Sequence, residues 1–225
     1  KFLNANLSRS KLNGAILRRT DLKDSDLSEA DLNLADLTGA NLIGTKLAGA
    51  NLDRIKLHKA KLTGAQLSGA KMTKAKLTQV DLTQADLSGS DLTGAELNEA
   101  NLEGADLSRS NLTEAILVNA NLKNAYLTGA DIKKANLQGV NLENADMAGS
   151  KLRKSNLQGA NLKHADLRRA DLEHTDFCKA NLNSANFTGA KMADGTFKNA
   201  DLTGANLDSA DITDTHFEGA KGYNN

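Results

Sequence analysis

Proline and tryptophan are absent from these 225 residues, cysteine occurs once, and aromatic residues make up 3%. A single cysteine, Cys178, cannot staple a fold, so a disulfide framework is excluded and the redox compartment stays open. No apolar run approaches the ~20 residues that cross a bilayer as a helix, and no signal-peptide core is visible. Charge of one sign is missing too, because 28 basic residues balance 28 acidic ones. That balance argues against direct nucleic-acid binding through a basic surface, and equally against an acidic imitation of DNA. Few aromatics point towards disorder, yet 40% hydrophobic residues are enough for a core. The chain opens on Lys1 rather than Met, which reads as a processed or excised segment.

What the chain does have is a period of five. From Phe2 to Phe217 every fifth residue is Leu, Ile, Met or Phe, 44 times without a slip. Two places before these centres, from Ala5 onward, stand small or β-branched residues, mostly Ala; between them stand mostly Asp, Asn or Lys. The unit A-(D/N)-L-x-x fills residues 1–220 as one domain, and 221–225 form a short tail. Five residues advance an α-helix by ~500°, so the leucines would spiral around it. On a flat strand an odd period sends successive leucines to opposite faces. A short extended stretch with the Ala and Leu positions inward, then a bend at the last two positions, satisfies the pattern. Glycine collects at the fifth position, as at Gly14 and Gly39, where a turn wants positive φ. A bend repeated in one sense winds the chain into a solenoid.

Residues one coil apart stack, so columns of like chemistry reveal the coil length. At a spacing of twenty, Asn101, Asn121, Asn141, Asn161 and Asn181 form a surface ladder, and Glu103, Lys123, Glu143 and Lys163 a ladder alternating in sign. Phe177, Phe197 and Phe217 form a third column, read as core packing. Twenty residues are four pentads, a square cross-section. The unit, as in Ala30-Asp31-Leu32 or Ala160-Asn161-Leu162, resembles the pentapeptide-repeat family in its Leu-centred, cyanobacterial-like form. The resemblance covers essentially the whole chain. It implies an all-β fold, a right-handed quadrilateral parallel β-helix of about 11 coils, roughly 53 Å long at the ~4.8 Å strand spacing. Atypical capping units are not visible at either end, which leaves end-to-end self-association open.

Charge is banded along the chain. Residues 1–20 carry five positive charges and no negative ones, and 21–40 six acids against Lys23. Eight basic residues between Lys46 and Lys76 face only Asp53, and seven acids follow from Asp81 to Asp106. In a solenoid these become stacked rings, read as complementarity between neighbouring coils or as a patterned docking surface. Lys133, Lys134, Lys151, Arg153 and Lys154 fall on one face within two coils. They are a candidate interaction surface for an anionic headgroup, a phosphate or an acidic partner, with plain solvation as the alternative. Ile116, Val118 and Tyr126 are close in sequence and form a candidate apolar contact patch. No His, Cys or acidic set has metal-ligand spacing. Cys178 and His174 lie around a corner from one another without a cleft or a third group, so a free exposed thiol is expected rather than a catalytic pair.

These residues point to a non-catalytic scaffold, a rigid rod presenting a charged pattern to a protein partner, without cofactor. The family resemblance adds two alternatives. One is a soluble domain of a larger membrane-anchored cyanobacterial protein, such as one that places heterocyst glycolipids. The other is a DNA-mimicking antagonist of gyrase or topoisomerase. Family members with that role look Phe-centred and acidic with dimerising C-terminal elements, whereas this chain is Leu-centred, neutral and without a helical tail. Cytoplasm, periplasm and thylakoid lumen all suit such a chain.

Overall fold

A computed structural model describes residues 1–223. Each pentad makes one side of a coil. The residue before each apolar centre forms a lone parallel bridge with the residue twenty places on, and forty such bridges run from Asn6–Asp26 to Asp201–Lys221 without a slip. Four columns of bridges define four faces; we number them by their first members, Asn6, Lys11, Ile16 and Asp21. Among the described residues pairing goes no further than one bridge per side, so the ladder consists of points rather than long strands.

Almost every peptide group in a pentad has a place in this ladder. Leu7 N–H donates to Asp26 O at 2.7 Å and Arg9 N–H to Ser28 O at 2.9 Å, while Asp26 N–H donates back to Ala5 O at 2.9 Å. Ser10 N–H closes the turn on Leu7 O at 3.2 Å. One amide per pentad, that of the residue after the centre, has no backbone partner. Asp or Asn at the bridge position supplies it: Ser28 N–H donates to Asp26 Oδ1 at 2.9 Å, and Glu143 N–H to Asn141 Oδ1 at 3.2 Å. The preference for Asp and Asn is therefore a turn-capping preference, repeated side after side.

The bend itself is left-handed backbone. All 44 residues at the last pentad position, from Asn4 to Gly219, have φ between +51° and +72°, and 28 of them are not glycine. Exposed Leu34, at φ +59°, is the least suited of these to that region.

Leu, Ile and Met centres point inward and are buried from Leu22 to Leu172, each contributing roughly 2 kcal/mol of burial. The Ala column lines the same interior. Ile55, Val80 and Val140 take Ala positions, stay buried and leave the bridges around them intact, so no bulge forms. Several inward hydroxyls are absorbed by carbonyls, as where Ser90 Oγ donates to Leu87 O at 2.7 Å and Thr175 Oγ1 to Leu152 O at 2.9 Å, whereas Ser10 Oγ and Ser150 Oγ have no partner among the described residues. Gly195 occupies an Ala position because a Cβ there would meet Met192 O at 2.9 Å and the Phe197 ring at 3.3 Å.

From Phe177 onward rings enter the core. Phe177 and Phe197 stack at 4.8 Å between centroids, Phe197 and Phe217 at 5.2 Å, and Phe187 meets the first two edge-on. The column does not stop there. Tyr223 stacks on Phe217 at 3.8 Å, and Lys221 bridges Asp201, so the ladder continues into the segment read as a tail. Asn224 and Asn225 of that segment lie outside the described residues.

Candidate interaction surfaces

The asparagine column is a continuous amide ladder on the fourth face. Nδ2 of Asn121 donates to Asn101 Oδ1 at 3.0 Å, and the same bond recurs at 3.1 Å from Asn141, Asn161 and Asn181 to the residue below. Each Oδ1 also caps its own turn, so a single oxygen serves two donors. The neighbouring charged column is paired in part. Lys123 meets Glu143 at 3.4 Å, Glu103 accepts from Asn121 Nδ2 at 3.3 Å, and Lys163 lines an open polar depression beside Lys179 and Lys221.

The basic cluster gathers on the second face around a shallow depression of about 490 Å³ lined by Lys133, Lys134, Lys151, Arg153, Lys154 and Asp171. Three of its cations are engaged. Lys133 pairs with Asp131 at 2.9 Å, Lys134 with Glu114 at 3.4 Å, and Arg153 with Glu173 and, at 3.7 Å, Asp171. Lys151 stands in the bridge column between Asp131 and Asp171, but both carboxylates are already committed. Lys151 and Lys154 are thus left without a carboxylate within 4.0 Å among the described residues. Exposed pairs of this kind contribute little stability, and Lys151 and Lys154 add two free ammonium groups to the patch.

Other groupings separate. Ile116 lies on the third face and Tyr126 on the first, because ten residues are half a coil; the contact patch expected from their closeness in sequence does not form. Val118 is half-buried and its N–H is capped by Asn98 Oδ1 of the coil below, since Ile116 has no oxygen to offer. Cys178 is half-buried rather than exposed. Its thiol lies 3.6 Å from Thr196 Oγ1, and burial followed by the bond to Asp176 pushes its pKa up, away from a reactive thiolate. His174 instead faces Asp194, at 3.8 Å.

The strongest titration effect belongs to Asp36. The Arg18 guanidinium, 2.7 Å away, holds this buried carboxyl down to about 2, against the desolvation that opposes it, with Thr38 adding to the lowering.

The repeat and its geometry can now be set beside known proteins. The pentapeptide-repeats family matches in eight copies, over residues 1–39, 35–73, 70–109, 105–144, 145–183 and 180–219. The chain belongs to the pentapeptide-repeat family. Among solved structures it is similar to HetL, a pentapeptide repeat protein involved in heterocyst differentiation regulation, from the cyanobacterium Nostoc sp. strain PCC 7120. That similarity has 30% identity and a TM-score of 0.54, covering 87% of this chain and 88% of HetL. It is also similar to a trypsin-treated form of QnrB1, a plasmid-mediated fluoroquinolone resistance protein, at 21% identity and a TM-score of 0.50, over 80% of this chain and 88% of that one. The second likeness is one of fold alone. Among curated proteins none matches. The family fold is the right-handed quadrilateral β-helix, and the twenty-residue bridge spacing fits its four-sided coil.

Two features escaped sequence reading. The capping role of Asp and Asn was hidden because the same residues also suggest ladders. Tyr223 was missed because it stands one place out of phase with the apolar column.

Proposed function

We propose that this chain is a non-catalytic interaction rod of about eleven coils that holds a protein partner on a patterned face. The observation that carries this reading is the forty-bridge ladder, which runs without slip and makes each outward side chain part of a fixed array. A rigid array presents binding groups without an ordering cost, which favours recognition. The depression bearing Lys151 and Lys154 is the candidate contact on the second face, because its two free cations are available to a partner's carboxylates or phosphates. HetL, the relative at 30% identity, is described as acting in regulation, which accords with this reading.

The test is capture of partners from native extract on the immobilised rod, beside the variant Lys151→Glu/Arg153→Glu/Lys154→Glu. A partner retained by the wild type and lost by the variant supports the reading. Failure of the wild type to retain any protein above a scrambled control counts against it.

A further inference from the structure

A second surface stands apart from the Lys151 face. Around the corner between the second and third faces, Arg54 sits one coil below Lys74, and Lys56 bridges Lys76. At many sites side chains one coil apart are opposite in charge and paired, as in Arg9–Glu29, Lys123–Glu143 and Lys198–Glu218; where Lys133 lies below Arg153 and Lys134 below Lys154, three of the four cations are paired with carboxylates. At the Arg54 corner two adjacent columns stack cation on cation, an arrangement that is destabilising in itself.

Only one of the four corner cations is neutralised. Among the described residues Lys76 pairs with Glu96, but Arg54, Lys56 and Lys74 have no carboxylate within 4.0 Å and are all exposed. Asp53, the only acid between Lys46 and Lys76, accepts Thr73 N–H at 3.2 Å from the coil above. Asp36, which shares a bridge column with Lys56, is taken by Arg18. A second cost lies in the turns. Lys at the bridge positions 46, 56, 61, 71 and 76 stands where Asp or Asn would cap the following amide. Lys11, Lys151 and Lys191 do so singly elsewhere, but this belt concentrates five such sites in two coils, and among the described residues only the amide after Met72 finds a substitute, in Asp53. Local rules broken twice in one place, with no gain inside the fold, mark a surface kept for a ligand.

We propose that the corner formed by Arg54, Lys56, Lys74 and Lys76, flanked by Lys59 and Lys71, binds an acidic, extended protein segment lying across the rod. The shape of the charge selects this occupant. The belt is two coils tall, roughly 10 Å at the ~4.8 Å spacing. Acidic coils bound it on both sides, with Asp31 and Asp36 below and Asp91, Glu96 and Glu99 above. A duplex sets its phosphates on either side of a ~12 Å major groove, so one row would fall on those acids. A lipid surface laid on the second face reaches Asp31 and Asp91 together with Lys71. A single extended chain is narrow enough to stay within the belt.

The test is fluorescence anisotropy with a fluorescein-labelled hexaglutamate peptide at about 0.15 M salt. Saturable binding is expected, weakened about tenfold or more by Lys56→Gln/Lys74→Gln and unchanged by Lys179→Gln/Lys191→Gln, a pair of exposed lysines outside both basic surfaces. The scaffold reading of the Lys151 face is tested separately by its own variant, so the two can fail independently. Absence of saturable binding, equal loss in both variants, or tighter binding of a labelled DNA duplex or of phosphatidylserine vesicles overturns it. Folding is read independently. Relief of the stacked like charges raises the thermal midpoint of Lys56→Gln/Lys74→Gln, and a lowered midpoint contradicts the premise.

Discussion

Two stretches of this rod share one backbone and differ in what fills it. Between Leu22 and Leu172 the apolar centres are Leu, Ile and Met; from Phe177 to Phe217 four of the nine are Phe, and Tyr223 extends the ring column. The inter-coil bonds are alike: Leu82 N–H donates to Asn101 O at 2.7 Å and Phe197 N–H to His216 O at 2.7 Å. The main chain thus sets the rise per coil, and the core side chains must accept it. Aromatic rings do so because their stacking distance, 4.8–5.2 Å here, is close to the coil spacing. In the Leu stretch the surface supplies the columns instead, through the Asn101–Asn181 ladder.

The largest effect is expected in the aromatic stretch. Phe197→Ala removes the middle of the stack and should cost about 3–5 kcal/mol by urea unfolding. Phe197→Leu keeps most of the volume and should cost about 1–2 kcal/mol, the value of the lost ring contacts. A neutral Phe197→Leu would break the comparison, since the rings would then be fillers only. In the Leu stretch, Asn141→Ala deletes two ladder bonds and a turn cap, an expected loss of about 2–3 kcal/mol in the same assay. If Asn141→Asp is equally costly, the ladder matters more than the cap, because the carboxylate keeps the cap while losing the Nδ2 donor.

Acid should separate the stretches as well. Asp36 has its folded pKa lowered to about 2 from an ordinary 3.8, so its contribution is complete above pH ~4 and disappears as pH falls towards 2. The loss is on the order of 2 kcal/mol and is abolished in Asp36→Asn. Asp201 and Asp211, held down by the Thr203 and Thr213 hydroxyls, are more open to water and contribute less. Hydrogen exchange at pH 2.5 against pH 6 should therefore open the coils around Asp36 first; earlier opening around Phe197 would refute this. Tyr223→Ala, uncovering Phe217, should cost about 1 kcal/mol and speed exchange of the last coil alone. Smallest of all, Leu34→Gly should gain about 0.5 kcal/mol by relieving a left-handed leucine.

Most of the architecture was legible because it is periodic. The inward columns, the bend at the Gly14 position and the twenty-residue coil each repeat often enough to be read from residues such as Asn121 and Asn141. Legibility failed where meaning depends on one side chain's direction. Asp26 reads equally as a ladder member, a counter-ion for Lys46 or a cap for Ser28, and only geometry picks the cap. Capping takes Asp26 from Lys46 and Arg18 takes Asp36 from Lys56, so among the described residues both lysines lack a carboxylate partner although their acidic neighbours stand in register. Ile116 and Tyr126 show the opposite error, in which nearness along the chain was taken for nearness in space.

The square coil also turns length into direction. Removing one residue from a loop of an ordinary protein shifts a boundary; here it would throw every later leucine off the inside. Removing five would spare the core but swing everything beyond the cut through a quarter turn, so that the Lys151 depression would face a different compass point from the Arg54 corner. Only steps of twenty keep the bearings. The relative aim of two distant surfaces on this rod is therefore written in the count of residues between them, and it changes in quarter-turn clicks rather than by degrees.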